Sequence, residues 1–499
     1  MQKMFVDTRD LDEACRNRFC LSEDLMMENA AAALEKSLSG KEDIMIMCGG
    51  GNNGGDGYAL ARKMISRVVS VVVVACMPEK SDMCCLQKKR AEKCGITIVP
   101  LSDAQALIDE NNFDAIVDCI FGIGFHGKVP KEIASLLKKV NSLDTYRLSC
   151  DIPSGLDKFG NISGECFHAD ETVTMGALKV ALFSDYAKDV CGKIVCADLG
   201  FDREIYENSL QDRKAAKYYL LDESDCKYPE RKKKNVHKGN FGHAVFIGGE
   251  KIGAAVMAAC ASLKFGAGLA TLVDFKNQHS SGEKIQLDEN GLPCGESIIP
   301  YEIMCGNEFP ENTSAVAIGM GLGRNADISE FEKFLKDHFG LPVVYDADFF
   351  YRDNLWSPLS LRSKCGVPTV LTPHPKEFAV ILDKCDLGTY SVEEVVKNRI
   401  KLAKRFCDEY PDIVLMLKGS TVLIAKHEFY REMYFNPYGT PALAKAGSGD
   451  VLTGLVTALL AQGYTPLDAA ISASLAHALS SRKISPDFSL TPFELIKKI

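Results

Sequence analysis

Two glycine-rich loops constrain the fold of this chain more than any other feature of its sequence. Residues 49–57 read Gly-Gly-Gly-Asn-Asn-Gly-Gly-Asp-Gly, and residues 446–450 read Ala-Gly-Ser-Gly-Asp. An apolar run at residues 43–47 leads into the first loop, and an amphipathic stretch at residues 58–65 leaves it. Because backbone amides at such a strand-to-helix junction bind anions well, the loops predict two nucleotide-handling sites in α/β layers.

Composition narrows the class of protein further. The 499 residues are enough for two or three domains, and a net charge of -9 argues against a nucleic-acid partner. No apolar stretch approaches the roughly 20 residues that a membrane span requires, so no membrane association is expected. The 19 cysteines contain no Cys-x-x-Cys pair, and residues 1–10 contain no apolar core typical of a secretory signal. We therefore expect reduced thiols and a cytoplasmic location.

Apolar runs that alternate with helical patterns predict βαβ units and mainly parallel sheets in both halves of the chain. The strand-like runs of the first half are residues 44–47, 68–75, 115–120, 148–152, 172–175 and 194–197. Those of the second half are residues 244–247, 269–273, 315–318, 343–345, 369–371 and 413–417. Residues 218–240 turn polar and basic, so we expect an α/β protein with two domains, 1–217 and 218–499. Residues 277–300 predict a long surface loop or hairpin, and residues 392–406 predict one helix.

The first loop places glycines beside three polar side chains, Asn52, Asn53 and Asp56. The glycines allow a ligand to approach the backbone closely, while the side chains add oxygens and amides. The loop is not the Gly-x-Gly-x-x-Gly fingerprint followed by an acid some twenty residues on, so ordinary dinucleotide binding is not predicted. A tight glycine turn without a ligand is the alternative.

Two further loops follow neighbouring predicted strands of the first half. Residues 122–128 follow one strand, and residues 151–157 end the next. Ligands of open α/β sheets bind at the edge where parallel strands end. Asn53, Asp118 and Ser154 are oxygen donors on neighbouring loops, which suits a hard cation, although plain turn and cap roles also explain them.

The second glycine-rich loop precedes a predicted helix, so its free amides can stabilise an anion. Asp450, at the end of that loop, could accept a proton from a substrate hydroxyl; a helix C-cap followed by an N-cap aspartate would give the same letters. Residues 319–323, 372–377 and 417–421 form three more loops at strand ends. No Gly-x-x-x-x-Gly-Lys-[Ser/Thr] motif is present, which argues against a P-loop ATPase.

These motifs together resemble a known family. Residues 5–210 resemble the NAD(P)H-hydrate epimerases through the Asn-Asn-Gly-Gly-Asp loop, the Gly-x-Gly-x-x-Gly segment at residues 122–127 and the Asp-Ile-Pro-Ser-Gly stretch at residue 151. Residues 225–499 resemble the ADP- or ATP-dependent NAD(P)H-hydrate dehydratases of the ribokinase-like superfamily. The motifs that carry this second resemblance are residues 237–242, 372–375, 418–421 and 447–450. Both halves in this order are similar to the bifunctional NAD(P)H-hydrate repair enzymes.

For the first half, the resemblance implies a Rossmann-like α/β/α domain that interconverts the R and S forms of NADHX and NADPHX, the hydrates of NADH and NADPH. Asp151 would transfer the proton, and Asn53, Asp118 and Ser154 would coordinate potassium. The implied hydrate contacts are Asn52, Asn53, Gly54, Gly55, Asp56, Gly122, Ile123, Gly124, Phe125, His126, Gly127, Lys128 and Asp151.

For the second half, the resemblance implies a ribokinase-like α/β/α domain that dehydrates the S form at the expense of ADP or ATP with magnesium. A phosphoryl group would be transferred to the hydrate hydroxyl, with Asp450 as proton acceptor, and would then leave as phosphate. The implied nucleotide contacts are Lys418, Gly419, Ser420, Thr421, Val422, Ala446, Gly447, Ser448 and Gly449. The implied hydrate contacts are Ala255, Gly321, His374 and Asp450; a loop histidine held by turn contacts is the alternative for His374.

Some positions of the second half depart from the family pattern. Phe349, Phe350 and Tyr351 stand where the family usually has Ala-Leu-Asn, and Lys376 replaces a usual glycine, which puts the shape of the dehydratase pocket in question. We also expect a homo-oligomer. The alternative function is a ribokinase-like small-molecule kinase fused to a non-catalytic nucleotide-binding module.

Overall fold

The computed structural model describes residues 1–210, 217–275, 299–427 and 432–499. Most of the predicted loop at residues 277–300 lies outside the described residues. Two compact units divide the chain, one covering Gln2–Tyr218 and the other Tyr219–Ile499. Both units are α/β structures built on mainly parallel sheets, so the predicted fold class is confirmed. None of the helices in the described ranges combines the length and apolar character needed to cross a membrane.

The first unit is a parallel sheet of seven strands in the order β4-β3-β2-β5-β6-β7-β9. A further short strand, β8, pairs in parallel with β1. The strands are β1 (Gln2–Phe5), β2 (Asp43–Cys48), β3 (Ser70–Ala75), β4 (Thr97–Pro100), β5 (Ala115–Cys119), β6 (Tyr146–Cys150), β7 (Glu171–Met175), β8 (Leu178–Lys179) and β9 (Lys193–Ala197). The helices are α1 (Arg9–Phe19), α2 (Glu23–Ser37), α3 (Asn52–Met64), α4 (Asp82–Lys93), α5 (Ala104–Glu110), α6 (Lys131–Asn141) and α7 (Arg203–Glu207).

Alternate residues of the central strand β2 enter two different cores. Ile44 and Ile46 belong to a core with α2, α3 and α4, whereas Met45 and Met47 belong to a core with α5 and α6. This alternation follows from the two-residue period of a strand. Because β3 and β5 flank β2 on opposite sides, the strand order reverses at β2, and the loops after β2 and β5 open a crevice at their carboxyl ends.

The second unit has a sheet in the order β13-β12-β11-β14-β15-β16-β17-β18-β19, parallel from β13 to β17 and antiparallel at β18 and β19. The strands are β10 (Tyr218–Leu220), β11 (His243–Ile247), β12 (Leu269–Val273), β13 (Met304–Gly306), β14 (Ala315–Ile318), β15 (Val343–Tyr345), β16 (Thr369–Leu371), β17 (Ile413–Leu417), β18 (Val422–Ala425) and β19 (Met433–Asn436). The helices are α8 (Ile252–Lys264), α9 (Ser329–Asp337), α10 (Trp356–Lys364), α11 (Pro375–Lys384), α12 (Val392–Lys397), α13 (Arg399–Glu409), α14 (Ser448–Ala461), α15 (Pro466–Ser481) and α16 (Pro492–Lys498).

Small residues let α8 and α14 pack closely over this sheet. A Cβ atom on Gly454 of α14 would lie 2.2 Å from the carbonyl oxygen of Ala258 in α8, so this crossing requires glycine. The close contact fixes α14, and with it the glycine-rich loop that precedes the helix, against the core of the unit.

Candidate functional sites

A cavity of about 630 Å³ lies at the carboxyl ends of β2 and β5 in the first unit. Of the thirteen hydrate contacts that the resemblance implied, ten line its wall: Asn52, Asn53, Asp56, Gly122, Ile123, Gly124, Phe125, His126, Lys128 and Asp151. Gly54, Gly55 and Gly127 do not line it. A Cβ atom on Gly54 would lie 1.9 Å from the carbonyl oxygen of Gly49, and one on Gly55 would lie 2.7 Å from the Met27 methyl group. These two glycines therefore serve the close packing of the loop.

The loop after β2 is held against the loop after β5 by backbone contact. The amide of Gly49 donates to the carbonyl oxygen of Cys119 at 3.0 Å. A Cβ atom on Gly49 would lie 1.9 Å from the carbonyl oxygen of Ile120, so glycine is needed where the loops meet. Helix α3 then begins at Asn52, which places its first turn on the cavity wall.

Asp151 is the most heavily coordinated acid of this cavity. Its φ of 69° is in the left-handed region, which is rare for a residue other than glycine and is typical of functional sites. Its Oδ1 contacts Lys179 Nζ at 2.6 Å and accepts hydrogen bonds from the Met175 amide and the Thr174 hydroxyl. Its Oδ2 accepts one hydrogen bond, from the Ile123 amide at 3.2 Å. Lys179 was not predicted from the sequence, because no motif includes it.

Two other carboxyl groups of the same cavity have raised pKa values. Burial raises the pKa of Asp56 well above the ordinary value for aspartate, and the nearby charge of Asp151 raises it further. Burial also raises the pKa of Asp12, whose Oδ1 accepts a hydrogen bond from the Tyr206 hydroxyl at 2.5 Å. Asp12 was missed by the sequence analysis because it lies in an ordinary helix, α1, far from the glycine-rich loops.

The three residues implied as potassium ligands do not all touch one another. Asp118 and Ser154 are fully buried, and the Ser154 hydroxyl and amide both donate to the Asp118 carboxylate at 2.7 Å. The Ile120 amide donates to the same carboxylate at 3.1 Å, and burial raises the pKa of Asp118 to about 6. Asn53 has a buried amide nitrogen without a hydrogen-bond partner.

In the second unit, the glycine-rich loop leads into α14 and places Asp450 in its first turn. Burial raises the pKa of Asp450 to about 7; the nearby charge of Asp346 adds to this rise, and Lys418 opposes it. Lys418 Nζ lies 3.0 Å from Oδ1 of the buried Asp346, and the Thr453 hydroxyl donates to the other oxygen at 2.7 Å. A Cβ atom on Gly449 would lie 3.3 Å from Lys418 Nζ, so the ammonium group lies beside the loop. This arrangement brings an acid with a pKa near neutrality next to a cation and free helix amides.

A buried histidine supports the same loop. Nε2 of His477 in α15 donates to the carbonyl oxygen of Ser448 at 2.9 Å, because a carbonyl oxygen can only accept. Burial lowers the pKa of this histidine to about 4 and keeps its ring neutral. The Ser448 hydroxyl donates to the carbonyl oxygen of Leu443 at 2.7 Å. Gly447 has a φ of 89°, a conformation that favours glycine. His477 was missed because a helix histidine has no sequence signature of this role.

The other implied residues of the second unit are only partly brought together. Gly419 and Ser420 are exposed after β17, beside Lys418, whereas Thr421 is buried and Val422 begins β18. Ala446 is exposed in the loop before α14. Ala255 is fully buried in the core of α8, and its assignment as a hydrate contact stays a prediction.

His374 is exposed and caps α11. Its Nδ1 accepts a hydrogen bond from the Glu377 amide at 3.1 Å, and its own amide donates to the Glu377 carboxylate at 2.8 Å. Burial raises the pKa of Glu377 to about 7, and partial desolvation of the ring lowers the pKa of His374. Gly321 has a φ of 57°, and a Cβ atom there would lie 2.4 Å from the carbonyl oxygen of Lys251. These contacts explain the residue types of His374 and Gly321 without a ligand, so their roles as hydrate contacts stay predictions.

The departures from the family pattern have structural explanations. Phe349 and Phe350 are buried, and the Phe349 ring stacks on Tyr345 with centroids 4.2 Å apart. Tyr351 lies under the guanidinium of Arg324 at 3.8 Å, and Lys376 is exposed. The aromatic residues therefore pack around the loop after β15. Asp346 in the same loop contacts Lys418.

Comparison with known proteins identifies the family. A family model described as YjeF-related protein N-terminus matches residues 23–181, and one described as NAD(P)H-hydrate dehydratase matches residues 244–499. The bifunctional NAD(P)H-hydrate repair enzyme of Helicobacter pylori is 38% identical over 100% of this chain and 99% of its own length. The chain belongs to the bifunctional NAD(P)H-hydrate repair enzymes. It is therefore an enzyme of nicotinamide-nucleotide repair with an epimerase domain and a dehydratase domain, as the motifs predicted.

Two further matches extend this comparison. The bifunctional repair enzyme of Dictyoglomus turgidum is 31% identical over 98% of this chain and 96% of its own length. The solved ADP/ATP-dependent NAD(P)H-hydrate dehydratase of Bacillus subtilis, co-crystallised with ATP and Mg²⁺, is 25% identical over 56% of this chain and 95% of that chain, with a TM-score of 0.43. The whole-length matches to bifunctional enzymes disfavour the alternative of a kinase fused to a non-catalytic module.

Proposed function

We propose that the cavity of the first unit binds NADHX and NADPHX and epimerises them through Asp151, and that the second unit dehydrates the S form through Asp450. The observation that supports the epimerase assignment best is the position of Asp151 on the cavity wall, with its Oδ2 held by a single amide. The observation that supports the dehydratase assignment best is the position of Asp450 in the first turn of α14, directly after the glycine-rich loop, where burial raises its pKa to about 7. A general base works best when its pKa lies near the working pH.

In the epimerase cavity, the loop at residues 122–128 and the first turn of α3 hold the hydrate. Asn52 and Asn53 supply amide and carbonyl groups, and Gly122 and Gly124 let the nicotinamide part approach the backbone. Asp151 Oδ2 accepts the proton of the hydrate hydroxyl as the bond between the hydrated carbon and the ring nitrogen breaks. It returns that proton when the nitrogen re-forms the bond on the opposite face of the resulting carbonyl group. Asp56, whose pKa burial raises well above the ordinary value, is a hydrogen-bond donor to the hydrate when it is protonated.

A potassium ion is proposed at Asn53, Asp118 and Ser154. Asp118 is fully buried, and burial raises its pKa to about 6. The groups that lower this pKa are hydrogen-bond donors, and no cationic side chain is one of them. The hydrogen bonds from Ser154 and Ile120 compensate the burial of this carboxylate in part, and a cation would compensate it further. The amide of Asn53, whose buried nitrogen lacks a partner, can rotate to offer its oxygen instead. One negative charge and neutral oxygens suit a monovalent ion, which would fix the loops that surround the hydrate.

In the second unit, Asp450 accepts the proton of the hydrate hydroxyl as that oxygen forms a bond to the terminal phosphorus of ADP or ATP. The bond between this phosphorus and the bridging oxygen of the nucleotide breaks, and AMP or ADP leaves. The bond between the ring carbon and the phosphorylated oxygen then breaks, the ring loses a proton, and inorganic phosphate departs with NAD(P)H as product. Amides of Gly447, Ser448 and Gly449 stabilise the charge on the transferring group.

Magnesium is proposed to accompany the nucleotide. The residues fit such a pair, because Lys418 and the free amides at the start of α14 offer positive groups to phosphates, and Asp346 and Asp450 offer carboxylates nearby. When bound, the ion neutralises charge on the phosphates. The further nucleotide contacts proposed are Gly419, Ser420, Thr421, Val422 and Ala446, and the further hydrate contacts are Ala255, Gly321 and His374.

We also propose that residues 1–217 and 218–499 are independent domains, that the enzyme is cytoplasmic and homo-oligomeric, and that it binds neither nucleic acid nor membranes. The cysteines of the described ranges are free thiols, which is typical of a reducing compartment. Sedimentation velocity of the purified chain measures the number of subunits.

The deciding experiment incubates the purified chain with mixed R and S hydrates, with no nucleotide, with ADP and with ATP. Without nucleotide, an R-enriched mixture should reach the R and S equilibrium without forming NAD(P)H. With nucleotide, both forms should be consumed, with one phosphate released per NAD(P)H. A phosphorylated small molecule without NAD(P)H formation would instead identify a kinase.

A further inference from the structure

Lys179 is a buried cation at the back of the epimerase cavity that none of the roles above uses. Its side chain is 1% exposed, and it does not line the cavity wall. Lys179 ends the short strand β8, which pairs with β1 at Phe5. Gly176, with a φ of 74°, turns the chain between β7 and β8 and so brings Lys179 back towards the end of β7. The fold thus fixes this ammonium group beside Asp151.

Every proton of the Lys179 ammonium group can be used within the protein. Its Nζ lies 2.6 Å from Asp151 Oδ1, and it donates to the carbonyl oxygen of Met175 at 2.9 Å and to the Thr174 hydroxyl at 3.0 Å. The carbonyl oxygen of Ala177 lies at 3.4 Å. A buried lysine is costly and is retained only with such full compensation. This buried charge therefore calls for a role in the site.

Three of the four carboxyl groups on the cavity wall interact electrostatically with one another. Asp12, Asp56 and Asp151 all line it, and the pKa values of Asp12 and Asp56 are raised, in both cases first by burial. The charge of Asp151 raises both further, whereas Lys179 lowers both. The other titratable side chains on the wall are Arg9, Glu23, Lys80, His126 and Lys128. Of all these groups, Asp151 is the one that Lys179 contacts.

We propose that Lys179 is a positioning residue for epimerisation, which holds the negative charge of the cavity on Asp151 and turns Oδ2 of that residue towards the hydrate. The contact with Lys179, together with the Thr174 hydroxyl and the Met175 amide, occupies Oδ1. Oδ2 has only the Ile123 amide and keeps a lone pair for the proton of the hydrate. The inference rests on the proposed role of Asp151, and it assigns Lys179 an effect that passes through that acid.

The test compares Lys179→Met and Lys179→Gln with Lys193→Met in the full chain. Lys193 is a matched control, because it lies in the same unit but its side chain is 72% exposed in a pair with Glu171. Epimerase kcat and KM are measured between pH 5 and 9 with purified R hydrate, and thermal unfolding is recorded for each variant. Dehydration of S hydrate by the same chain serves as the internal control for intact protein.

We expect both Lys179 variants to lose kcat by about 10- to 1,000-fold at pH 7, with KM changed less than about threefold. Without the cation, negative charge in the cavity is less stabilised, so the acidic limb of the pH profile of kcat should move to higher pH. Raising the pH should therefore recover part of the activity of both variants. A purely structural lysine would lower the activity equally at all pH values.

The outcomes separate this inference from the proposed function. If the wild-type chain does not epimerise hydrates, the proposed function itself fails. If it does, but a folded Lys179→Gln variant keeps the wild-type kcat and pH profile, only the role of Lys179 is overturned. A Lys179→Gln chain that no longer folds would also overturn it, because the lysine would then be required for folding. Loss of kcat with an upward shift of the acidic limb supports it.

Discussion

Replacement of Asp450 by asparagine separates catalysis from structure in the dehydratase unit. Asparagine has nearly the same size and can occupy the first turn of α14, but it cannot accept the hydroxyl proton of the hydrate. Loss of a general base slows turnover by about 10²–10⁴-fold. The amides of Gly447 to Gly449 are unchanged, so binding of ADP or ATP should change much less than turnover.

The same substitution should stabilise the unit at alkaline pH. The pKa of Asp450 is raised from 3.8 to about 7, mainly by burial, a shift of about three units. Below pH 4 the carboxyl is protonated in both the folded and unfolded states, so it costs nothing. As the pH rises from about 4 to 7, the unfolded state loses the proton first, and the folded state becomes less stable. Above pH 7 the ionised carboxylate costs at most about 4 kcal/mol, at 1.36 kcal/mol per pKa unit.

Asparagine removes this cost. We therefore expect Asp450→Asn to raise the free energy of unfolding at pH 8 by up to about 4 kcal/mol and to leave it nearly unchanged at pH 4. For a unit of this size, 1 kcal/mol corresponds to about 2–4 °C in Tm. In the wild-type enzyme, the dehydration rate should rise with pH through about 7, because only the ionised Asp450 accepts a proton.

Asp468 provides the matched control. It is the third residue of α15, as Asp450 is the third residue of α14, but it pairs with Lys227 at 2.6 Å on the surface. Asp468→Asn should leave dehydration unchanged and lower stability by no more than about 1 kcal/mol. The assays are single turnover of pure S hydrate, nucleotide titration and thermal unfolding at pH 4 and 8. Near wild-type dehydration by Asp450→Asn would refute the base, and a loss of stability at pH 8 would refute the burial argument.

Three further predictions concern the rest of the chain. A fragment ending near Asp222 should epimerise hydrates without nucleotide, and one beginning near Lys227 should dehydrate only the S form; inactivity of both fragments beside an active whole chain would contradict independent domains. Asp118→Asn should abolish the dependence of epimerisation on potassium, and crystals grown with rubidium or thallium should show anomalous scattering beside Asp118, whereas an empty site or a hydrated octahedral ion would argue against potassium. Gly54→Ala should lower the free energy of unfolding of the epimerase unit by about 1–3 kcal/mol, because its Cβ would lie 1.9 Å from a backbone oxygen. Gly51→Ala is the control, since its Cβ would have no atom within 4 Å, and it should cost less than about 1 kcal/mol. Equal Tm values for the two variants would contradict the packing argument.

Local sequence rules predicted the elements that depend on local interactions. The start of α2 is an example: a serine followed by two acids, Ser22-Glu23-Asp24, is the sequence pattern of a helix N-terminus, and the Ser22 hydroxyl accepts the Leu25 amide at the N-cap. The predicted single helix at residues 392–406 was wrong: the chain breaks at Asn398 into α12 and α13. Asn398 is both the C-cap of one helix and the N-cap of the next, and an apolar helical period does not reveal such a break. The antiparallel strands β18 and β19 were also missed, because short buried strands have no clear period.

The site could be predicted as far as its loops, but not as far as its charges. Loops at strand ends were found because glycines and asparagines mark them, and ten of the thirteen implied hydrate contacts line the cavity. Asp12, Lys179 and His477 were missed because their positions depend on packing between elements distant in sequence. The local sequence around such residues does not show whether the side chain faces solvent or a buried polar group.

These buried groups show how the two units tune acids by the same physical means. In each unit a lysine contacts one carboxylate, Lys179 with Asp151 at 2.6 Å and Lys418 with Asp346 at 3.0 Å, and the pKa of a second acid nearby is raised. That second acid is Asp56 in the first unit and Asp450 in the second. The proposed proton acceptor is the paired acid in the first unit and the unpaired acid in the second.

The difference follows from the geometry around each acid. Asp346 is 1% exposed, and its oxygens contact Lys418 and the Thr453 hydroxyl, so it lies too deep to accept a proton from a substrate. Asp151 lies on a cavity wall and keeps Oδ2 accessible, so the same type of ion pair leaves it able to exchange a proton. A lysine in contact with one carboxylate therefore fixes a negative charge in each unit, and the accessible carboxyl oxygen decides which acid performs the chemistry.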